Sequence, residues 1–276
     1  MATIIETLFN ITISRTLITI VIILVTCIVY TYSLLHGFKG ISKLANGCIY
    51  FFFGLMIFVL LFSGQGRYII ETGIESLGRM IQNFIGLATY TDPLRKTNFA
   101  QDWTIYYWAY WMVWCVAAPF FIGSISKGRT IRQVILGGYV FGVGSTLVSF
   151  IVFGNYGMGL QVTGVFDLIT QYATTGDTYS IIITILKSLP CSNIILVWVL
   201  LTMIAFYATS FDSIAYTASC YSYKKLEEDE QPHKKIQLLW CLLLIALPIA
   251  LVFSESSMSN IQTVSIIAAF PIGLIM

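Results

Sequence analysis

Thr16-Leu-Ile-Thr-Ile-Val-Ile-Ile-Leu-Val-Thr-Cys-Ile-Val-Tyr-Thr-Tyr-Ser-Leu-Leu35 is an apolar run without a single charge. Crossing the hydrocarbon core takes about 20 residues at 1.5 Å rise each. In lipid the backbone has no water to bond, so such a run must satisfy its own N–H and C=O groups as a helix. The run has no basic n-region before it and no small-x-small cleavage site after it, and it is too long for an h-region. It reads as a retained span.

Working outward, comparable runs recur at about 48–64, 103–125, 134–154, 193–216 and 237–253, and a seventh begins near 262 and is cut off at Met276. The chain is 57% hydrophobic and only 10% charged, against roughly 25% charged for an ordinary soluble domain. A soluble core of this size could not hide that surface. Strands of a membrane barrel would alternate in polarity rather than run continuously apolar. The expected fold is therefore all-α, a polytopic transmembrane helix bundle forming a single membrane domain over 1–276.

Lysine and arginine set the orientation. The first, third and fifth connections are short and basic (Lys39 and Lys43; Lys127, Arg129 and Arg132; Lys224, Lys225, Lys234 and Lys235). The positive-inside rule places these in the cytoplasm and the N-terminus outside. Two external connections are long. In 65–100, Ile69, Ile70, Ile74, Leu77, Ile81 and Phe84 recur at helical spacing, with Glu71, Glu75, Arg79 and Gln82 between them. That is an amphipathic helix, lying at the membrane surface or packed across the outer mouth of the bundle. It should end before the turn signal Thr89-Tyr90-Thr91-Asp92-Pro93. The other, about 155–190, reads as loop with one short helix. The fifth connection holds Glu227, Glu228, Asp229 and Glu230 and reads as a solvated loop. Gly138 and Gly142 form a small-x-x-x-small pair suited to close helix packing.

Several functions are excluded. No basic cluster supports nucleic-acid binding. Cys27, Cys48, Cys115, Cys191, Cys220 and Cys241 show no metal-ligand spacing and read as small packing residues. His36 and His233 fall in connections. With no phosphate loop, no paired intramembrane acids and no nucleophile elbow, an enzyme has no site and no organic cofactor is implied.

Two segments carry possible chemistry. Trp103-Thr-Ile-Tyr-Tyr-Trp108-Ala-Tyr-Trp111-Met-Val-Trp114 holds four of the six tryptophans. Trp108, Trp111 and Trp114 are spaced by three, so they share a helical face. Trp103 suits an interfacial aromatic belt. Trp111 and Trp114 lie about 12 and 16 Å deeper, where rings either pack or line a cavity. A quaternary ammonium has no N–H to donate, and ring faces can hold it at about 2 kcal/mol when desolvated. Asp102 is accounted for as a first-turn carboxylate at the positive helix end.

The second segment is Phe206-Tyr-Ala-Thr209-Ser210-Phe-Asp212-Ser213. An acid inside a span is costly and marks a candidate site. Its hydroxyls and freed carbonyls are hard oxygen donors suited to a small cation, or they serve interhelical hydrogen bonds.

At these residues the chain resembles the betaine/carnitine/choline transporter family. The family's W-T-x-F-Y-W-A-W-W-x-x-W is matched by Trp103-Thr104, Tyr107-Trp108-Ala109, Trp111 and Trp114. Its I-S-R-G-R-T-I-R is matched by Ile125-Ser126-Lys127-Gly128-Arg129-Thr130-Ile131-Arg132, and its T-S-x-D-S by Thr209-Ser210-Phe211-Asp212-Ser213. Gly37-Phe38-Lys39-Gly40-Ile41 resembles G-x-x-K-G-I. The resemblance implies a partial inverted-repeat (LeuT-like) transporter fold. It also implies uptake of glycine betaine, choline or carnitine by alternating access, sodium coupling, a cell-membrane location (plasma or inner) and a homotrimer. Trp111 would be one wall of the trimethylammonium cage, with Trp108 and Trp114 lining the path. The Phe206 carbonyl and the Thr209 and Ser210 hydroxyls would be half of a sodium site.

There are departures. Tyr110 replaces a family tryptophan. Ala117 replaces an aromatic associated with a second sodium site. Cys48 aligns with the arginine that substitutes for one sodium in the sodium-independent branch, and it cannot do so. The resemblance begins near the end of the first repeat, so the Gly-rich unwound helix and the other cage tryptophans fall outside this sequence. The alternative is thus a transport-inactive truncated remnant, or one half of a split transporter.

Overall fold

The computed structural model describes residues 1–10, 14–116, 118–224, 230–253 and 258–275, with the side chains of residues 258–262, 264 and 265 excepted. Ala117, Lys225 and the acidic residues Glu227, Glu228 and Asp229 lie outside the described residues.

Helices form where the apolar runs predict them. After α1 (Ala2–Phe9), the quoted run is α2 (Arg15–Leu35), followed by α3 (Gly37–Phe62). Only His36 separates α2 from α3, so Lys39 and Lys43 lie in the first turns of α3 and not in a connection. The expected start at 48 is thereby moved back to Gly37. Lysine stems can cover apolar surface while the ammonium reaches water, so they need not end a helix. Gly37 makes the reversal with φ 64, and a Cβ there would sit 2.6 Å from the Gln231 side chain. The Gln231 side chain could move aside, so it is the positive φ that calls for glycine.

The amphipathic segment forms α4 (Gly66–Gln82) and α5 (Phe84–Thr89), ending at Thr89 as its turn signal predicts. Of its apolar face only Ile69 is buried, while Ile70, Ile74, Ile81 and Phe84 are exposed. Helix α4 packs on the bundle through Ile69 and Gly73. Asn155 donates to the Ile69 carbonyl at 3.4 Å, and a Cβ at Gly73 would collide with Ile151.

The span expected at 103–125 is broken. It consists of α6 (Ala100–Trp114) and α7 (Ala118–Ile125), bent by 57°. Pro119 is the reason. It has no N–H to donate to the Cys115 carbonyl, and its ring would clash there. Proline is instead tolerated in the first turn of the helix that follows.

Helix α8 (Ile131–Val162) is longer than expected and opens with a capping box of Thr130 and Gln133. It contains π turns at Gly138–Val143 and Phe150–Gly154. A Cβ at Gly138 or Gly142 would meet no atom within 4 Å. The close packing expected of that pair is therefore not found among the described residues.

The connection read as loop is largely helical. Beyond α8 come α9 (Leu168–Thr175) and α10 (Thr178–Lys187). Asp167 and Asp177 cap them, accepting from Thr170 and Tyr179 backbone N–H groups at 3.1 and 2.9 Å. Then follow α11 (Ser192–Tyr221), α12 (Lys234–Phe253) and α13 (Met258–Ile275). Among the described residues five helices are long and apolar enough to cross a membrane, or six if the bent pair is one span. No strand occurs among the described residues.

Helix α11 is the hub. Its C-terminal half packs with α2 and α12 around Tyr30, Leu34, Ala208, Ala215 and Cys241. Its other half packs with α3, α4 and α8 around Val59, Ile69, Tyr156 and Ile195. Polar side chains fix these contacts, as they must where lipid gives helices no hydrophobic reason to associate. Tyr30 donates to the Cys241 carbonyl at 2.7 Å, and Trp198 Nε1 donates to the Phe51 carbonyl at 3.1 Å. Trp198 can approach α3 closely because Gly54 has no side chain there. Four cysteines are buried as expected of packing residues, and Cys115 and Cys191 are exposed.

Candidate functional site

Helix α11 carries a ladder of hydroxyls bonded back to its own carbonyls. Thr209 Oγ1 donates to the Phe206 carbonyl at 2.9 Å and Ser210 Oγ to the same carbonyl at 3.2 Å. Ser213 Oγ reaches the Thr209 carbonyl at 2.8 Å. Back-bonding satisfies a hydroxyl where water is absent. Thr209 also meets the Cys48 side chain of α3, so the alternative expectation of interhelical hydrogen bonding holds there beside the back-bonds. Each hydroxyl oxygen keeps lone pairs after donating its proton. One turn of α11 therefore gathers three hard oxygens, from Phe206, Thr209 and Ser210. That donor set fits part of the shell of a hard cation, which takes several oxygens.

Thr209 faces a cavity of about 680 Å³ between α3, α7 and α11. Ser213, Phe38 and Tyr216 also line it, the two rings 5.1 Å apart. The buried Cys48 thiol of α3 lies against the Thr209 side chain. The cavity wall includes Lys127 from the third connection and Glu230 and Gln231 from the fifth, beside the start of α3. Residues of the third and fifth connections thus meet the start of α3 at one end of the bundle.

Asp212 does not join this set. It is 0% exposed and turns toward α2, where Ser33 Oγ donates to its Oδ2 at 2.8 Å. Ser213 Oγ lies 3.1 Å from the other carboxylate oxygen. Sequence reasoning placed Asp212 with the hydroxyls. Ser33 was missed, because a serine inside an apolar run carries no signal of what it faces.

The tryptophan face forms as its spacing predicts, on α6. Trp108 is 65% and Trp111 59% exposed, and Trp114 is half-buried. Tyr110 stands edge-on to Trp111 at 5.8 Å and tilted to Trp114 at 6.2 Å. Helix α6 packs along α13, where Met112 meets Gly273. The broken span meets α11 at its end. Tyr221 donates to the Val116 carbonyl at 3.2 Å, and its ring lies 4.9 Å from Phe120. The break leaves carbonyls around it without helical partners, and this hydroxyl satisfies that of Val116. Among the described contacts, nothing joins the three tryptophans to the oxygens of α11. No group of three His, Cys, Asp or Glu side chains that could hold a metal occurs among the described residues.

The model of the betaine/carnitine/choline family transporters matches residues 1–276. The chain belongs to the betaine/carnitine/choline transporter family. It is 29% identical over 258 residues to a carnitine transporter of Acinetobacter baumannii, covering 91% of this chain and 46% of that protein. It is 28% identical over 261 residues to the glycine betaine transporter OpuD of Bacillus subtilis, covering 93% and 49%. It is 26% identical over 260 residues to the ectoine/glycine betaine/proline transporter EctP of Corynebacterium glutamicum, covering 93% and 42%. The chain spans about half the length of these curated relatives. These relatives are named as transporters, none as an enzyme.

Proposed function

We propose that this chain carries the sodium-binding half-site and one aromatic wall of a secondary transporter for a trimethylammonium solute. Glycine betaine, choline and carnitine are the candidate substrates. The observation that carries the reading is the convergence of the Thr209 and Ser210 hydroxyls on the Phe206 carbonyl. Lipid leaves a three-oxygen cluster of this kind few other partners. Trp111 is the wall for the trimethylammonium group, with Trp108 and Trp114 along the path.

Sodium binding would favour one of two packings only through its differential affinity for them, which is how coupling arises. Transport then follows by alternating access about a midplane site. A location in the plasma or inner membrane and assembly as a homotrimer belong to the same proposal.

The open exposure of Trp108 and Trp111 favours a second form of this reading, in which the chain acts as one half of a larger assembly. Uptake of radiolabelled glycine betaine and choline, with and without sodium, by transporter-deficient cells expressing the chain separates the forms. Sodium-dependent uptake supports a complete site. No uptake from inserted protein, restored by co-expressing the first half of a relative, supports the half-transporter. No uptake in either case sinks the transport reading.

A further inference from the structure

We propose that Asp212 is the positioning residue of the Thr209/Ser210 half-site, acting through its hydrogen bond to Ser33. This rests on the sodium reading above.

The argument begins with rotation. A helix in lipid has no hydrophobic effect to choose which face it turns inward, so polar contacts and close packing must do so. Residues Thr209 and Asp212 are three apart, hence about 60° apart around α11. Whatever fixes the direction of Asp212 therefore fixes the direction of Thr209. Asp212 is fully buried and is held by Ser33 Oγ at 2.8 Å, across 179 residues of chain. Ser33 is itself buried, one turn beyond Tyr30 on α2. Tyr30 anchors that turn to the Cys241 carbonyl of α12 at 2.7 Å. The sequence of ties runs from α12 through α2 to α11 and ends one turn from the oxygen triad. A buried polar pair used to set register is the best-attested role for such groups.

About 60° around α11 from Asp212, the Thr209 side chain lies against Cys48. Cys48 is thus a native reporter of where Thr209 points. If the tie to Ser33 is cut, α11 gains freedom to turn, Thr209 leaves Cys48, and the thiol opens to reagents. Asn in place of Asp212 keeps a carbonyl oxygen for Ser33 and an amide for Ser213 Oγ, so it preserves the tie.

The test is alkylation of each cysteine by N-ethylmaleimide in membranes containing the whole chain, read peptide by peptide by mass spectrometry. Ser33→Ala and Asp212→Ala should each raise the Cys48 rate about five- to tenfold, the effect of losing one buried hydrogen bond. Cys241 should stay near its wild-type rate, and Asp212→Asn should behave as wild type. Unchanged Cys48 in both alanine variants overturns the proposal. So does a parallel rise at Cys241, which marks general loosening, or an Asp212→Asn variant as reactive as Asp212→Ala. Sodium added to the wild type tests the underlying reading separately. Protection of Cys48 by sodium but not by potassium supports the half-site, and equal rates count against it without bearing on the tie.

Discussion

The Thr209 hydroxyl donates to the Phe206 carbonyl at 2.9 Å, one turn back on its own helix. Ser210 shares that acceptor at 3.2 Å. Removing both hydroxyls by Thr209→Ala with Ser210→Ala should abolish sodium stimulation of solute uptake. The helix itself should hardly notice, since back-bonded hydroxyls add little to it. Circular dichroism of the purified variant should match wild type. Retained sodium stimulation would show that the ion binds elsewhere.

Trp111 gives a prediction about the solute. Replacing it by Leu removes one ring face, worth about 2 kcal/mol for a desolvated cation. Affinity for a trimethylammonium solute should then fall about 30-fold, while its sodium dependence persists. Competition with choline and with an uncharged analogue reads the difference. An unchanged choline affinity would remove Trp111 from the site.

Asp92 makes the loop before α6 sensitive to acid. It is buried, and the Thr97 backbone N–H donates to it at 3.0 Å, as does the Thr97 hydroxyl. The Lys96 N–H and Tyr90 hydroxyl add bonds at 3.3 Å. Chiefly through the Thr97 N–H, these donors hold its carboxyl below the usual aspartate value, against the opposing effect of desolvation. The stabilisation is therefore complete above about pH 4, the ordinary aspartate value. It fades as pH falls through the depressed value. Amide exchange at Lys96 and Thr97, corrected for intrinsic rates, should show protection at neutral pH and its loss in acid. Asp92→Ala should exchange quickly at every pH.

Gly54 is predicted to tolerate no side chain. A Cβ there would lie 2.9 Å from a ring carbon of Trp198, whose indole N–H donates to the Phe51 carbonyl. Gly54→Val should cost about 1–3 kcal/mol through overpacking and shift the Trp198 emission. Thermal unfolding in detergent followed by fluorescence reads both. A variant as stable as wild type would mean that α3 and α11 can separate at no cost.

The sequence announced the helices, because a run such as 16–35 has one use in lipid. Its boundaries were less legible. Lys39 and Lys43 read as a connection, although a lysine stem can lie along a helix end. The stretch 155–190 read as loop by polarity, yet the spacing from Asp167 to Thr170 is a helix cap in plain view. The break at Pro119 was missed, since 103–125 read as one continuous apolar span, although the proline marks it. The segment 206–213 was visible by its hydroxyls and its acid, and the choice of Phe206, Thr209 and Ser210 within it came from the family resemblance. The tie from Ser33 to Asp212 was not visible, since nothing local marks two residues so far apart as partners. The tryptophan spacing predicted a shared face correctly, but no local pattern tells whether a second wall stands opposite.

The two π turns of α8 carry a last consequence. A π turn accommodates one residue more than the α pitch, and each residue turns a helix by about 100°. Everything after Gly154 therefore stands rotated from where an uninterrupted α-helix would put it. Asn155 and Tyr156 reach Ile69 and Ser188 from that rotated position. Deleting any one residue of 138–143 would swing both away from their partners, whichever residue was removed. In this helix the number of residues carries structural information that their identities do not.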